Sequence, residues 1–254
     1  MFSPSLTPMD IAGRNALITG GAHRVGRALT LALSEAGADV FIHYKSSSEA
    51  AEATADEARA AGRKAATGSA DLGDPATGGI LIEMATAALG PISILVNSAS
   101  GFPTDSLESI RIEDWHRAHD LTLASPVFLT QAFAAALPSD MEGAVVNITD
   151  VHTKTPYRNH FSYTVAKGGL DTFTRAAALA LAPRIRVNAV ALGLILPPAG
   201  KDQAYVEALA EGLPLAKVGG TDPVVSATIA LIQNPFITGE IVRTDGGSHL
   251  VSPQ

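Results

Sequence analysis

Apolar and β-branched residues gather in short runs, separated by longer stretches in which apolar positions recur every three or four residues. The short runs fall at Asn15–Thr19, Asp39–His43, Lys64–Ala70, Ile92–Asn97, Ala144–Thr149, Arg186–Ala191 and Glu240–Thr244. Their near-continuous hydrophobicity is that of strands buried on both faces. Between them the helical period predicts helices over Arg24–Ala36, Ser47–Ala61, Asp74–Leu89, Ile112–Ala136, Ser162–Ala182 and Asp222–Ile232. Strand and helix alternating in this way predict an α/β fold, a Rossmann-type doubly wound parallel sheet of about seven strands with helices on both faces. Ligands of such sheets bind at the C-terminal ends of the strands. The more polar segment Pro197–Gly219 breaks the alternation. It is expected to be a substrate-side lid or an ordinary surface insertion.

Composition narrows the field. The 254 residues suit one large α/β domain spanning 1–254, and 46% hydrophobic content with 17% charged residues predicts a chain folded throughout. With no cysteine there are no disulfides or thiolate metal sites, which fits a reducing, cytoplasmic compartment. The opening "MFSPSLTPMDIAGR" lacks the basic-then-apolar form of a signal peptide or anchor. The uncharged stretch from Met84 to Thr104 is interrupted by Gly90-Pro91 and by Asn97, Ser98 and Ser100, so a helix end and a buried strand are expected there, not a membrane span. A net charge of −7 without a basic run argues against nucleic acid and for a small-molecule partner. His116, His119, His152 and His160 lack ligand spacing and are taken as surface or packing residues, so no metal is expected.

Three stretches carry chemistry. In "LITGGAHRVG" a strand runs through Gly20 and Gly21 into a helix near Arg24, an arrangement that aims free backbone N–H groups and a positive dipole end at a phosphate. A tight strand-to-helix turn alone would need similar glycines. The second strand ends His43-Tyr44-Lys45-Ser46-Ser47, without the acid that binds the ribose hydroxyls of NAD. Lys45, Ser46 and Arg24 instead suit a 2′-phosphate, so NADPH is the expected cofactor. In "YTVAK" a four-residue step puts Tyr163 and Lys167 on one helix face. An ammonium about 4–6 Å from a phenol is worth roughly 3–4 kcal/mol at an effective dielectric of ~20, so the tyrosine pKa is expected to fall from its usual ~10 towards general-acid strength.

Together "TGGAHRVG", Asp71-Leu72, "NSAS" at 97–100, "NITD" at 147–150, "YTVAK", "RVNAVALG" at 186–193 and "ITGEIVRTDGG" at 237–247 resemble the short-chain dehydrogenase/reductase family over nearly the whole chain. The resemblance implies cofactor contacts from Gly20, His23, Arg24 and Val25 in the first loop, and from His43, Tyr44, Lys45 and Ser46 after the second strand. It implies that Asp71 and Leu72 contact adenine, that Asn97, Ser98 and Ala99 line the cofactor with Thr149 and Gly193, and that Lys167 holds the nicotinamide ribose beside Tyr163.

Departures from the usual family pattern sharpen the resemblance. Arg24 stands for the middle glycine of the loop, Asp150 for the catalytic serine, and "NSASGF" for an Asn-Asn-Ala-Gly segment. These features are similar to the pteridine reductases and short-chain dihydromonapterin or dihydrofolate reductases, in which an arginine, a serine, a phenylalanine and an aspartate surround the pterin. They correspond to Arg24, Ser100, Phe102 and Asp150. The expected activity is an NADPH-dependent reduction of a pterin-like ring, with Asp150, Tyr163 and Lys167 catalytic and Phe102 offering a flat face opposite the nicotinamide. The alternatives are an NADPH-dependent carbonyl reductase of 3-oxoacyl thioesters or small ketones, and a non-catalytic NADPH-binding regulatory protein. Thr122, where many relatives carry an asparagine that organises a relay water, and Leu192, in place of a proline before Gly193, depart further. A homotetramer is implied by the resemblance.

Overall fold

The computed structural model of the protein describes residues 6–198 and 200–251. Residues 1–5 of the opening segment and Ala199 of the expected lid lie outside the described residues. The elements follow one another as β1 (Asn15–Ile18), α1 (Arg24–Glu35), β2 (Asp39–Tyr44), α2 (Ser48–Ala60), β3 (Ala65–Ser69), α3 (Thr77–Leu89), β4 (Ile94–Asn97), α4 (Ile112–His119), α5 (Ser125–Ala136), β5 (Gly143–Asp150), α6 (Phe161–Leu181), β6 (Ile185–Leu192), α7 (Gln203–Ala210), α8 (Asp222–Gln233) and β7 (Ile241–Thr244). All seven strands pair in parallel in the order β3-β2-β1-β4-β5-β6-β7. The order reverses between β1 and β4, so the loops leaving these two strands part and open a crevice at their C-terminal ends.

The two faces of the sheet are covered by different helices. Leu29 and Leu33 of α1, Ala51, Ala55 and Ala58 of α2 and Leu231 of α8 pack with Ile18, Val40, Val96 and Val146 on one face. Leu81 and Ile82 of α3, Leu129 and Phe133 of α5 and Ala177 of α6 pack with Leu17, Phe41, Leu95 and Val145 on the other. Alternate residues of each strand thus serve opposite cores, which is why the strand runs read as unbroken hydrophobic stretches.

Two expectations need correction. The helix expected over Ile112–Ala136 changes its hydrogen bonding midway: α4 and α5 are joined by a π-helical turn at Asp120–Ala124, which holds the buried Thr122. The side-chain period runs through this extra residue, so the pattern alone does not reveal it. β4 begins at Ile94, two residues late: Ile92 packs in the core ahead of the first strand pairing, and Ser93 makes one backbone hydrogen bond to each neighbour, to Asn15 of β1 and from Ala144 of β5. The segment from Pro197 to Gly219 contains a helix, α7, whose start is capped by Asp202 accepting from the Tyr205 N–H at 3.0 Å. Among the described residues no helix is long and apolar enough to cross a membrane.

The turn from β1 into α1 is closely packed. A Cβ on Gly26 would lie 2.1 Å from the Gly20 carbonyl oxygen, so only glycine lets the first turn of α1 sit against the loop that feeds it. Gly26→Ala is expected to destabilise the protein by about 3 kcal/mol, read as a lower urea midpoint. Gly79→Ala in α3, where a Cβ meets nothing within 4 Å, should stabilise the protein by roughly 0.5–1 kcal/mol and so raise the midpoint. Equal responses from the two variants would refute this account of the turn.

Candidate active site

At the crevice, the β1 loop, the end of β2 and the end of β3 are locked together by one imidazole. His43 is buried, its Nδ1 accepts from the Gly20 N–H at 3.1 Å and its Nε2 donates to the Ala70 carbonyl at 3.0 Å. This pairing requires the neutral ring, and burial lowers the His43 pKa accordingly. His43, expected as a cofactor contact, therefore uses both ring nitrogens to hold the loops. Thr19 does similar work one strand over: its hydroxyl oxygen accepts from the N–H groups of Ser98 at 2.9 Å and Ala99 at 3.0 Å.

A cleft of about 510 Å³ opens above these loops. Gly20, His23, Arg24 and Val25 line it from the first loop, and His43, Lys45, Asp71 and Leu72 from the next two strands. Ser98, Ala99 and Ser100 follow β4, and Thr149, Tyr163 and Lys167 close the far end. Lys45 is paired with Asp71 at 2.8 Å, both largely exposed, so two residues expected to touch different parts of a nucleotide meet each other at the mouth of the cleft. Tyr44 packs into the core, Ser46 is exposed, and Asn97 is buried with its amide donating to Asn147 at 2.8 Å, none of them lining the cleft. Gly193 is likewise a packing position: a Cβ there would meet the Asp245 Cα at 2.5 Å. Leu192, which stands in place of a proline of the family pattern, lines the cleft directly.

Arg24 begins α1 with φ at 52°, in the left-handed region that glycine fills without strain. The position retains the backbone of a glycine and adds a guanidinium, whose Nη2 donates to the Pro197 carbonyl at 2.9 Å. The phosphate-side loop is thereby tied to the start of the segment that carries α7.

At the far end, β5 delivers Asp150 and α6 delivers Tyr163 and Lys167. The Tyr163 hydroxyl donates to Asp150 Oδ2 at 2.8 Å, and Asp150 Oδ1 accepts from the His152 N–H at 2.8 Å. Lys167 donates to the Ile148 carbonyl at 2.6 Å and lies 5.7 Å from the centre of the Tyr163 ring. All three side chains are buried. The expectation that Lys167 lowers the tyrosine pKa is overturned. Burial first, then the Asp150 carboxylate, pushes Tyr163 well above its usual value, because desolvation and a neighbouring negative charge both penalise phenolate. Tyr163 is thus held as a full phenol, its O–H directed at Asp150. Burial also lowers Lys167, to about 8.

The substrate side brings Phe102 to 4.9 Å from Tyr163, edge to face, and leaves it 44% exposed. Sequence reasoning missed its company. His160 stacks on Phe102 with ring centres 3.7 Å apart, and Tyr157 meets both rings at 5.4 Å. His160 also donates from Nδ1 to the Pro103 carbonyl at 2.7 Å, while Asp105 accepts from the Ser162 N–H at 3.0 Å and from its hydroxyl. The loop after β4 is therefore clipped to the head of α6. The available clue was position: any loop joining Asp150 to Tyr163 must return to the end of β5 and carry its side chains into the site.

A family model described as enoyl-(acyl carrier protein) reductase matches residues 20–249, and the chain belongs to the short-chain dehydrogenase/reductase family. It is an oxidoreductase. Among its relatives, an uncharacterised oxidoreductase of Mycobacterium tuberculosis is 37% identical over 91% of this chain and 90% of its own. A 3-oxoacyl-[acyl-carrier-protein] reductase of Synechocystis is 31% identical over 91% and 95%. The crystal structure of FolM alternative dihydrofolate reductase 1 from Brucella canis, complexed with NADP, superposes with a TM-score of 0.90 at 36% identity, covering 97% of this chain and 98% of that one.

The buried ammonium generates a pH prediction. The folded protein gives up the Lys167 proton near pH 8, whereas an unfolded chain keeps it to about 10.5. Between these values the unfolded state binds more protons, so stability relative to Lys167→Met should rise with pH by on the order of 2–3 kcal/mol. Turnover should fall across the same window as the charge beside Tyr163 is lost. Denaturant midpoints and kcat/KM measured from pH 6 to about 10.5 check both, and a flat pair of profiles would contradict the assignment.

Proposed function

We propose that the protein is an NADPH-dependent reductase of a pterin-like ring, with Tyr163 and Asp150 supplying the proton. The observation that carries this reading is the 2.8 Å hydrogen bond from Tyr163 to Asp150, set 4.9 Å from the half-exposed ring of Phe102. A reducible pterin presents a C=N bond, whose nitrogen needs a proton as carbon is reduced. A phenol backed by a carboxylate is suited to that task. The likeness to a protein named as an alternative dihydrofolate reductase supports the same substrate class.

The residues present fit the cofactor. The first loop is packed so closely that a Cβ on Gly20 would lie 3.1 Å from the Ala99 Cα, leaving bare backbone and the start of α1 towards the cleft. The end of β2 carries Lys45 and no carboxylate, which favours a 2′-phosphate. When bound, NADPH supplies the hydride. Lys167, fixed by Ile148, holds the nicotinamide ribose and presents positive charge as Tyr163 gives up its proton. Asp150 keeps the Tyr163 hydroxyl oriented, and Phe102 offers the ring its flat face. Arg24 serves the cofactor phosphate and the pterin edge together. Its strained backbone, at a cost of about 1–2 kcal/mol, is maintained where glycine would cost less.

Incubation with NADPH and either dihydrobiopterin, dihydrofolate or an acetoacetyl thioester tests the substrate class. NADPH consumption is expected with a pterin and not with the thioester, and the reverse result overturns the reading in favour of a carbonyl reductase. Arg24→Gly should weaken NADPH binding, read by fluorescence titration, and raise the pterin KM, each about tenfold. If NADPH binding alone suffers, Arg24 has no substrate role.

A further inference from the structure

Behind the Tyr163–Asp150 pair lies a second opening that this mechanism does not use. It is a cavity of about 80 Å³, enough for roughly two or three waters, with the buried carboxyls of Asp150 and Asp171 on its lining. Its exposed rim is made of charged side chains from three places: Lys154 after β5, Arg175 on α6, and Glu240 with Arg243 at β7. A polar passage thus runs from solvent to Asp150 on a side away from the nucleotide cleft, whose lining does not include Asp150.

Asp171 continues the face of α6 that carries Tyr163 and Lys167, at the next four-residue step. Its Oδ2 accepts from the Thr153 hydroxyl at 2.8 Å. Its other oxygen, Oδ1, is buried, and the hydroxyl of Thr149 acts on the same carboxyl. A small cavity lined by two buried acids and by Thr153 is where buried water lodges. Burial raises the Asp171 pKa, opposed by Thr153 and Thr149 and by the charges of Arg175 and Lys167, so this carboxyl takes up a proton more readily than an exposed aspartate. Lys154 and Arg243 oppose protonation from the rim, and Glu240 favours it.

We propose that Asp171, through water in this cavity, passes protons from solvent to Asp150 and so restores Tyr163 after each turnover. The inference rests on Tyr163 and Asp150 being the proton donor. Once the Tyr163 O–H bond has broken in favour of the substrate, the phenolate takes a proton that reaches it through Asp150. Asp150 receives it by way of water from the Asp171 carboxyl, and Asp171 is reprotonated from bulk water at the rim. One proton enters for each hydride delivered, and no electrons move along this path. Asp171 acts through Asp150 and touches no substrate, so it is a positioning and relay residue.

The test uses whichever substrate the wild-type enzyme consumes, with NADPH oxidation and proton uptake, read by a pH indicator dye, followed together. Asp171→Asn retains an acceptor for Thr153 but carries no exchangeable acid proton. It should slow steady-state turnover about tenfold and raise the solvent isotope effect on kcat, while the first turnover, which uses the proton already on Tyr163, slows less than twofold. Proton uptake should then lag NADPH oxidation. Ala191→Val, which fills the cavity and leaves every acid in place, should do the same and guards against a folding failure of the first variant. Steady-state rates within twofold of wild type for both variants, or first and later turnovers slowed equally, would overturn the relay. Tyr163→Phe tests the reading beneath it: a normal first turnover in that variant would remove the donor itself, whereas loss there with normal Asp171→Asn kinetics removes the relay alone.

Discussion

Everything at the reacting end follows from burying one phenol against one carboxylate. A tyrosine taken out of water and pointed at Asp150 is a hydrogen-bond donor that does not ionise at rest. Such a group is useful only if its proton is drawn off by a substrate in contact with it, and if a positive charge appears as it leaves. Lys167, held by Ile148 O from the same strand that carries Asp150, supplies that charge from a fixed point. The parallel sheet makes this possible, because β5 ends where α6 returns and both feed one crevice.

Most of the scaffold was legible in the chain. Double-sided burial leaves continuous hydrophobic runs, and all seven strands stood where such runs occur. What hydrophobic periodicity does not register is a change in hydrogen-bond pattern at constant amphipathicity, hence the π-turn around Thr122. The chemistry was legible in kind and less so in sign. Tyr163 and Lys167 share a helix face as their spacing requires, yet a pairwise charge argument gave the wrong direction for the phenol. Burial is a property of the whole fold and outweighs one neighbour 5.7 Å from the ring. Residues whose roles are set by packing were the hardest to read. His43 lines the cleft and also braces the loops through both ring nitrogens, and Gly193 leaves no room for a side chain beside Asp245.

Two features give the site its asymmetry. On the nucleotide side the loops are cross-braced by His43 and Thr19, so backbone groups meet a phosphate from a frame that is already assembled. Across the crevice, Arg24 reaches from the first loop to Pro197, the entry to the segment containing α7. One side chain thereby ties the braced first loop to the segment that carries α7.

The clip between the loop after β4 and the head of α6 has a consequence for the phenol. Phe102 and Tyr163 are joined through His160–Pro103 and Asp105–Ser162, and their two rings rest edge to face with centres 4.9 Å apart. A substitution at Pro103 or Asp105, neither of which lines the cleft, is therefore transmitted to the hydroxyl of Tyr163 through the head of α6.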